Sequence, residues 1–137
     1  RRPAQDRSPM STSGQTLRLL PGKYGVCRLP AGSSLPVWAK GEFVSITVTG
    51  DEVSVMCPES SIPSGLTTDL GWRVMKVMGP FPFSTVGIMA SLTAPLAAAG
   101  ISLLAVATYD TDYVLVKADK LDAALAALTQ AGHRLDS

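Results

Sequence analysis

Apolar positions along this chain switch between two periods, and the switches mark its elements. LRLLPGKYGVCRL, from Leu17, reads as extended chain interrupted by a turn at Pro21-Gly22. A short helical piece is expected around Ser34 to Ala39. FVSITVT, Phe43 to Thr49, alternates with period two, and Gly50-Asp51 turns it back into EVSVMC, Glu52 to Cys57. The stretch PESSIPSGLTTDL, residues 58–70, carries two prolines and is the best linker candidate.

The second half is more regular. WRVMKVM, Trp72 to Met78, predicts a strand that stops at Gly79-Pro80. Ser84 or Thr85 can cap a helix running to Ala99, with Ile88, Leu92, Leu96 and Ala99 on one face and Gly100 as its stop. Pro95 inside that helix removes one ladder hydrogen bond. Ile101 to Ala107 and Tyr113 to Val116 predict two strands. Asp119 is expected to cap a last helix bearing Leu121, Ala124, Leu125 and Leu128 on one face, Gly132 to end it, and His133 to Asp136 to form a short final strand. This order of strand, helix, strand, strand, helix, strand is a ferredoxin-like α+β unit. Residues 16–70 look like a degraded copy of it. The expected organisation is therefore a disordered tail over 1–15, in which Met10 is a candidate start, an N-terminal unit over 16–70 and a C-terminal unit over 71–137.

Composition narrows the function. An apolar fraction of 46% in 137 residues suits a buried core. Lys and Arg number 12 against 11 Asp and Glu, which leaves no basic excess for nucleic acid. The apolar stretch Pro95 to Ala107 is too short to span a bilayer, and no apolar segment follows Arg1, Arg2 and Arg7 as in a signal peptide, so a cytoplasmic protein is expected. Cys27 and Cys57 sit in apolar runs and read as buried, reduced thiols. His133, the single histidine, makes a zinc site improbable, and no cofactor is called for.

One stretch carries more polarity than its place requires. ATYDTDYVLV sets Thr108, Asp110, Thr111 and Asp112 between two apolar runs. A tight turn accounts for some of these, since Asp and Thr bond their own backbone. The surplus points to a bound ligand.

LPGKYGVCRLP, FVSITVTGDEVSVMC and GIMASLTAPLAAAGISLLAVATYDTDYVLV, with the acidic-start helix that follows, resemble the small tandem ACT-domain proteins and one half of the CASTOR-type arginine sensors. The resemblance implies two βαββαβ units with helices on one face of antiparallel sheets, and an amino acid bound between paired ACT domains. It puts backbone amides of Gly87 and Ile88 against the ligand's carboxylate, Asp112 against its ammonium, Thr108 and Tyr109 near its side chain, and Ser102 and Leu103 at positions given by a partner domain. A helix start suits an anion on its own account, because its N–H groups are unpaired and its dipole end is positive. The sensor position that meets a guanidinium with a carboxylate is Thr85 here. With Pro80, Phe81, Pro82 and Phe83 beside it, the resemblance implies a neutral or weakly polar amino acid.

The expected function is a regulatory, amino-acid-binding sensor, not an enzyme, acting as a homodimer or higher oligomer with a regulated protein partner. An oligomerisation module with an empty site is one alternative. A ferredoxin-like hydrolase is a weaker one, because Gly79 to Thr85 contains no basic residue to hold a phosphate and one histidine assembles no triad.

Overall fold

A computed structural model of the chain describes residues 14–78 and 87–136. Eight strands and two α-helices follow in the order β1 (Thr16–Leu19), β2 (Tyr24–Pro30), β3 (Ser45–Val48), β4 (Glu52–Pro58), β5 (Thr67–Val77), α1 (Ile88–Ala98), β6 (Leu103–Ala107), β7 (Asp112–Lys117), α2 (Leu121–Gln130) and β8 (Arg134–Asp136). The chain forms two compact units, one of Pro21–Arg73 and one in which the described residues up to Leu20 join those from Val74 onward.

In the first unit the strands lie in the order β3, β4, β2, β5, all antiparallel. Cys27, Val53, Val55 and Cys57 form its core, with Trp38, Ile46 and Ile62 packed against it. Two expectations change here. Ser34 to Ala39 makes turns instead of a helix, since Pro36 disfavours helical backbone at Leu35 and the Pro36 carbonyl instead takes the Ala39 amide in a turn. The supposed linker 58–70 holds a 3-10 turn at Glu59–Ser61 and the first part of β5. Thr67 and Thr68, read as loop polarity, are β-branched and suit a strand facing solvent.

The second unit contains β5, α1, β6, β7, α2 and β8 in ferredoxin-like order, an α+β arrangement. β1 adds to it: Leu17 faces Val77 antiparallel on β5, and Leu17 also faces Leu135 in the parallel ladder with β8. The sequence placed β1 within 16–70, whereas its hydrogen bonds go to the later half. Leu17, Met75, Val77, Val114 and Val116 of the sheet pack against Ile88, Leu92 and Leu96 of α1 and Ala124 and Leu128 of α2. Three of the four residues expected on the buried face of α1 are there; Ala99, its C-cap, is exposed. Asp119 does not cap α2. It lies in a 3-10 turn, Ala118–Lys120, and the N-cap is Lys120 with no side-chain bond.

Both helices end in the same way. The Ile101 amide donates to the Leu96 carbonyl and the Gly100 amide to Ala97; likewise His133 donates to Leu128 and Gly132 to Thr129. These are Schellman caps, which need a left-handed residue, and Gly100 and Gly132 supply it with φ of 73° and 101°. The second cap fixes the direction of His133.

Candidate functional site

The polar stretch 107–113 closes the β6–β7 hairpin and also does more. Thr108 donates its amide to the Thr111 carbonyl at 2.8 Å and its hydroxyl to the same oxygen at 3.0 Å. Thr111 returns an amide bond to the Thr108 hydroxyl at 3.2 Å. Both threonines are thus turn formers in the local sense. The Thr111 side chain turns inward, 4% exposed, and donates its hydroxyl to the carbonyl of Val77, the last residue of β5. The start of β7 is in this way fastened to the end of β5, where the chain leaves toward α1.

Asp112 follows as the first residue of β7, opposite Ala107, and is 6% exposed. By strand alternation it shares a face with Val114 and Val116, the face that packs on the helices. A carboxylate buried on the core side at a sheet end requires hydrogen bonding or a counter-charge. The signal was present in the sequence as the parity of 112, 114 and 116.

Gly87 is the N-cap of α1, left-handed at φ 87°, with its carbonyl accepting the Ser91 amide at 2.9 Å. Ile88 is buried at 4%, so its side chain belongs to the core and only its backbone is offered. Tyr109 and Asp110 project from the hairpin, with Tyr109 70% exposed. Ser102 is exposed and Leu103 half-buried at the start of β6. Thr85, Ser84 and the apolar stretch Pro80 to Phe83 lie outside the described residues. The fold therefore collects Thr108, Thr111 and Asp112 beside the end of β5, and puts Gly87 and Ile88 at the beginning of α1.

Sequence reasoning missed a second polar cluster. His133, 3% exposed, accepts the Gln15 amide on Nδ1 at 3.0 Å. Its Nε2 must then carry the proton, and it donates to the Ser91 carbonyl at 2.8 Å. Ser91 is the residue whose carbonyl would bond residue 95 in a regular helix, and residue 95 is a proline without an N–H. His133 supplies the donor that Pro95 lacks. The clue in the sequence was the pair Pro95 and His133, but nothing local links them.

Among the described residues no group of three or more His, Cys, Asp or Glu is placed to hold a metal ion, and no helix is long and apolar enough to cross a membrane. A shallow groove of about 350 Å³ between α1 and α2 is lined by Pro95, Ala98, Ala99, Ala127, Gln130 and Ala131. It offers no charge to a zwitterion.

Residues 67–130 match the family model of the ACT domain, a class of regulatory, small-molecule-binding domains, and residues 22–65 match a model of an N-terminal domain. The structure is similar to protein Atu0741 of Agobacterium tumefaciens, with 41% identity, a TM-score of 0.85 and 90% of this chain and 92% of that one covered. The chain thus belongs to one family with the Agobacterium protein, and carries an ACT domain behind an N-terminal domain. A possible transport protein from Vibrio cholerae is similar at 21% identity, TM-score 0.72, over 88% of this chain and 92% of that one. The regulatory subunit of aspartate kinase from Thermus flavus shares the fold at 14% identity, TM-score 0.61, over 87% and 98% of the two chains. No curated protein matches the chain.

Proposed function

We propose that the protein is a regulatory sensor whose ACT domain binds a free amino acid between the β6–β7 hairpin and the N-terminus of α1. The observation that carries this reading is Asp112, a carboxylate 6% exposed on the core side of the sheet, next to a hairpin tied to the end of β5. A ligand ammonium suits such a group, because a carboxylate gives a desolvated ammonium its counter-charge. Backbone amides of Gly87 and Ile88 receive the ligand's carboxylate at the positive end of α1. By the resemblance, Thr108 and Tyr109 border its side chain. The resemblance to the arginine sensors supplies this assignment, and Thr85 in place of their acid favours a neutral or weakly polar side chain.

The pairing that an ACT site needs comes from a second copy of this chain, which brings Ser102 and Leu103 to the ligand. The first unit supports this choice, for no α-helix occurs among its described residues. The protein acts without catalysis, reporting the ligand to a regulated partner.

Calorimetric titration of the wild-type protein and Asp112→Ala with neutral amino acids tests the reading. Removing the acid leaves the ammonium desolvated and unpaired, which costs about 2 to 5 kcal/mol of binding, while the fold loses one polar group at the sheet end. Equal affinities for the two proteins would make Asp112 a structural residue.

A further inference from the structure

We propose that Thr111 is a positioning residue of this site: its hydroxyl joins the hairpin turn to the end of β5 and so fixes where Asp112, the next residue, stands at the end of the sheet. The inference rests on the ligand reading above, in which Thr111 has no part. Three observations carry it. The Thr111 side chain is 4% exposed, so it meets protein and leaves the ligand contacts to its neighbours. Its hydroxyl donates to Val77, which is 0% exposed and ends β5. Its backbone oxygen and nitrogen are both committed to Thr108, at 2.8 Å from the Thr108 amide and 3.2 Å from the Thr108 hydroxyl. One residue therefore belongs to two bonded systems, the turn and the strand end. A hairpin needs only the first of these, since the Thr108–Thr111 bonds close it by themselves.

The two halves of the site come from different segments, Asp112 from β7 and Gly87 with Ile88 from the start of α1. A zwitterion bridging them requires Asp112 to be held in place, and the hairpin that carries it can shift against β5 if the hydroxyl link is cut. Thr111→Val keeps the shape and removes the donor, leaving the Val77 carbonyl buried without that bond. Thr111→Ser restores the donor with one methyl fewer.

The test compares wild type, Thr111→Val and Thr111→Ser in two measurements, with L-alanine, L-leucine and L-threonine as calorimetric probes. In the ligand-free proteins, amide exchange in Thr111→Val is expected to quicken at Thr108 and Thr111 and also at Val77 and Met78 at the end of β5, and to return to wild-type rates in Thr111→Ser. Affinity for the binding probe is expected to fall about tenfold in Thr111→Val, the worth of one hydrogen bond, with the melting temperature lowered by about a few degrees and the protein still folded at the assay temperature, and both are expected to recover in Thr111→Ser. Exchange that quickens at the turn alone, or affinity kept within about twofold in Thr111→Val, overturns the proposal. If the coupled exchange is seen while no probe binds even the wild type, the ligand reading fails and the mechanical link stands.

Discussion

Substituting His133 by Ala should destabilise the protein strongly, and substituting Pro95 as well should return a definite part of the loss. In the native chain the ring fills two needs at once. It accepts the Gln15 amide at 3.0 Å and donates to the Ser91 carbonyl at 2.8 Å. Ser91 has this carbonyl to spare because Pro95, four residues on, has no N–H. His133→Ala therefore leaves a buried donor and a buried acceptor unsatisfied, each at about 1 to 3 kcal/mol, besides the lost packing of a side chain 3% exposed. Pro95→Ala gives the Ser91 carbonyl a ladder partner from Ala at 95. Loss of the ring then strands only the Gln15 amide. Lost packing and the Gln15 term occur in both backgrounds and cancel in the double-mutant cycle, so the interaction energy isolates the Ser91 carbonyl. Its expected size is about 1 to 2 kcal/mol, with His133→Ala milder in the Pro95→Ala background. Urea unfolding of the four proteins, followed by far-UV dichroism, supplies the free energies. Additivity within about 0.5 kcal/mol would refute the argument that the histidine replaces the proline's missing donor.

Other outcomes follow from the same structure. Gly132→Ala should cost about 1 kcal/mol by calorimetric melting, because the substituted residue must keep a positive φ to close the Schellman cap that aims His133; an unchanged melting point would show that the cap is not required. Burial raises the Cys27 thiol above its ordinary range and pushes Cys57 up to about 11, with Cys27 adding a smaller push. An unfolded thiol ionises at a lower pH than the folded one, so this contribution to stability is intact below the ordinary thiol value of 9.0 and is lost as pH rises toward about 11. Iodoacetamide at pH 8 should accordingly label Cys27 and Cys57 only at the rate of unfolding, and prompt labelling of the native protein would contradict their burial. Sedimentation should give a dimer or larger species at micromolar concentration; a monomer would remove the partner contribution of Ser102 and Leu103.

Much of the second unit was legible because its periods are strong. Ile88, Leu92 and Leu96 on α1, and Ala124 and Leu128 on α2, stand at helical spacing and are buried together. Gly100 and Gly132 announced both helix ends. What escaped was set by partners distant in sequence. β1 was read only as part of the stretch 16–70, because a strand of Leu and Arg fits either half, and its pairing with β5 and β8 is visible only in the structure. Gln15 is 118 residues from His133, and Ser91 is 42, so no local pattern announces their bonds. At the site, the polarity of 108–112 was visible, whereas the division of labour was not: Thr108 and Thr111 serve the turn, Thr111 also serves β5, and Asp112 is left on the core side. Parity along β7 groups Asp112 with Val114 and Val116, but it is the strand boundary that separates Asp112, the first residue of β7, from Asp110, which lies in the turn and stays exposed. Asp119 failed as a cap because the 3-10 turn at Ala118–Lys120 postpones the start of α2.

The central claim, an amino acid bound at Asp112, is tested most directly by the melting temperature of the wild-type protein in the presence of each of the twenty amino acids in turn. A ligand that binds only the folded state at about 100 times its Kd adds about 2.7 kcal/mol, a shift of several degrees. A neutral or weakly polar amino acid is expected to give the largest rise, with arginine and lysine near zero, since Thr85 offers a guanidinium no counter-charge. No shift with any of the twenty would contradict the sensor reading. A largest shift with arginine or lysine, abolished by Asp110→Asn, would contradict the ligand class and give Asp110 the role of the missing acid.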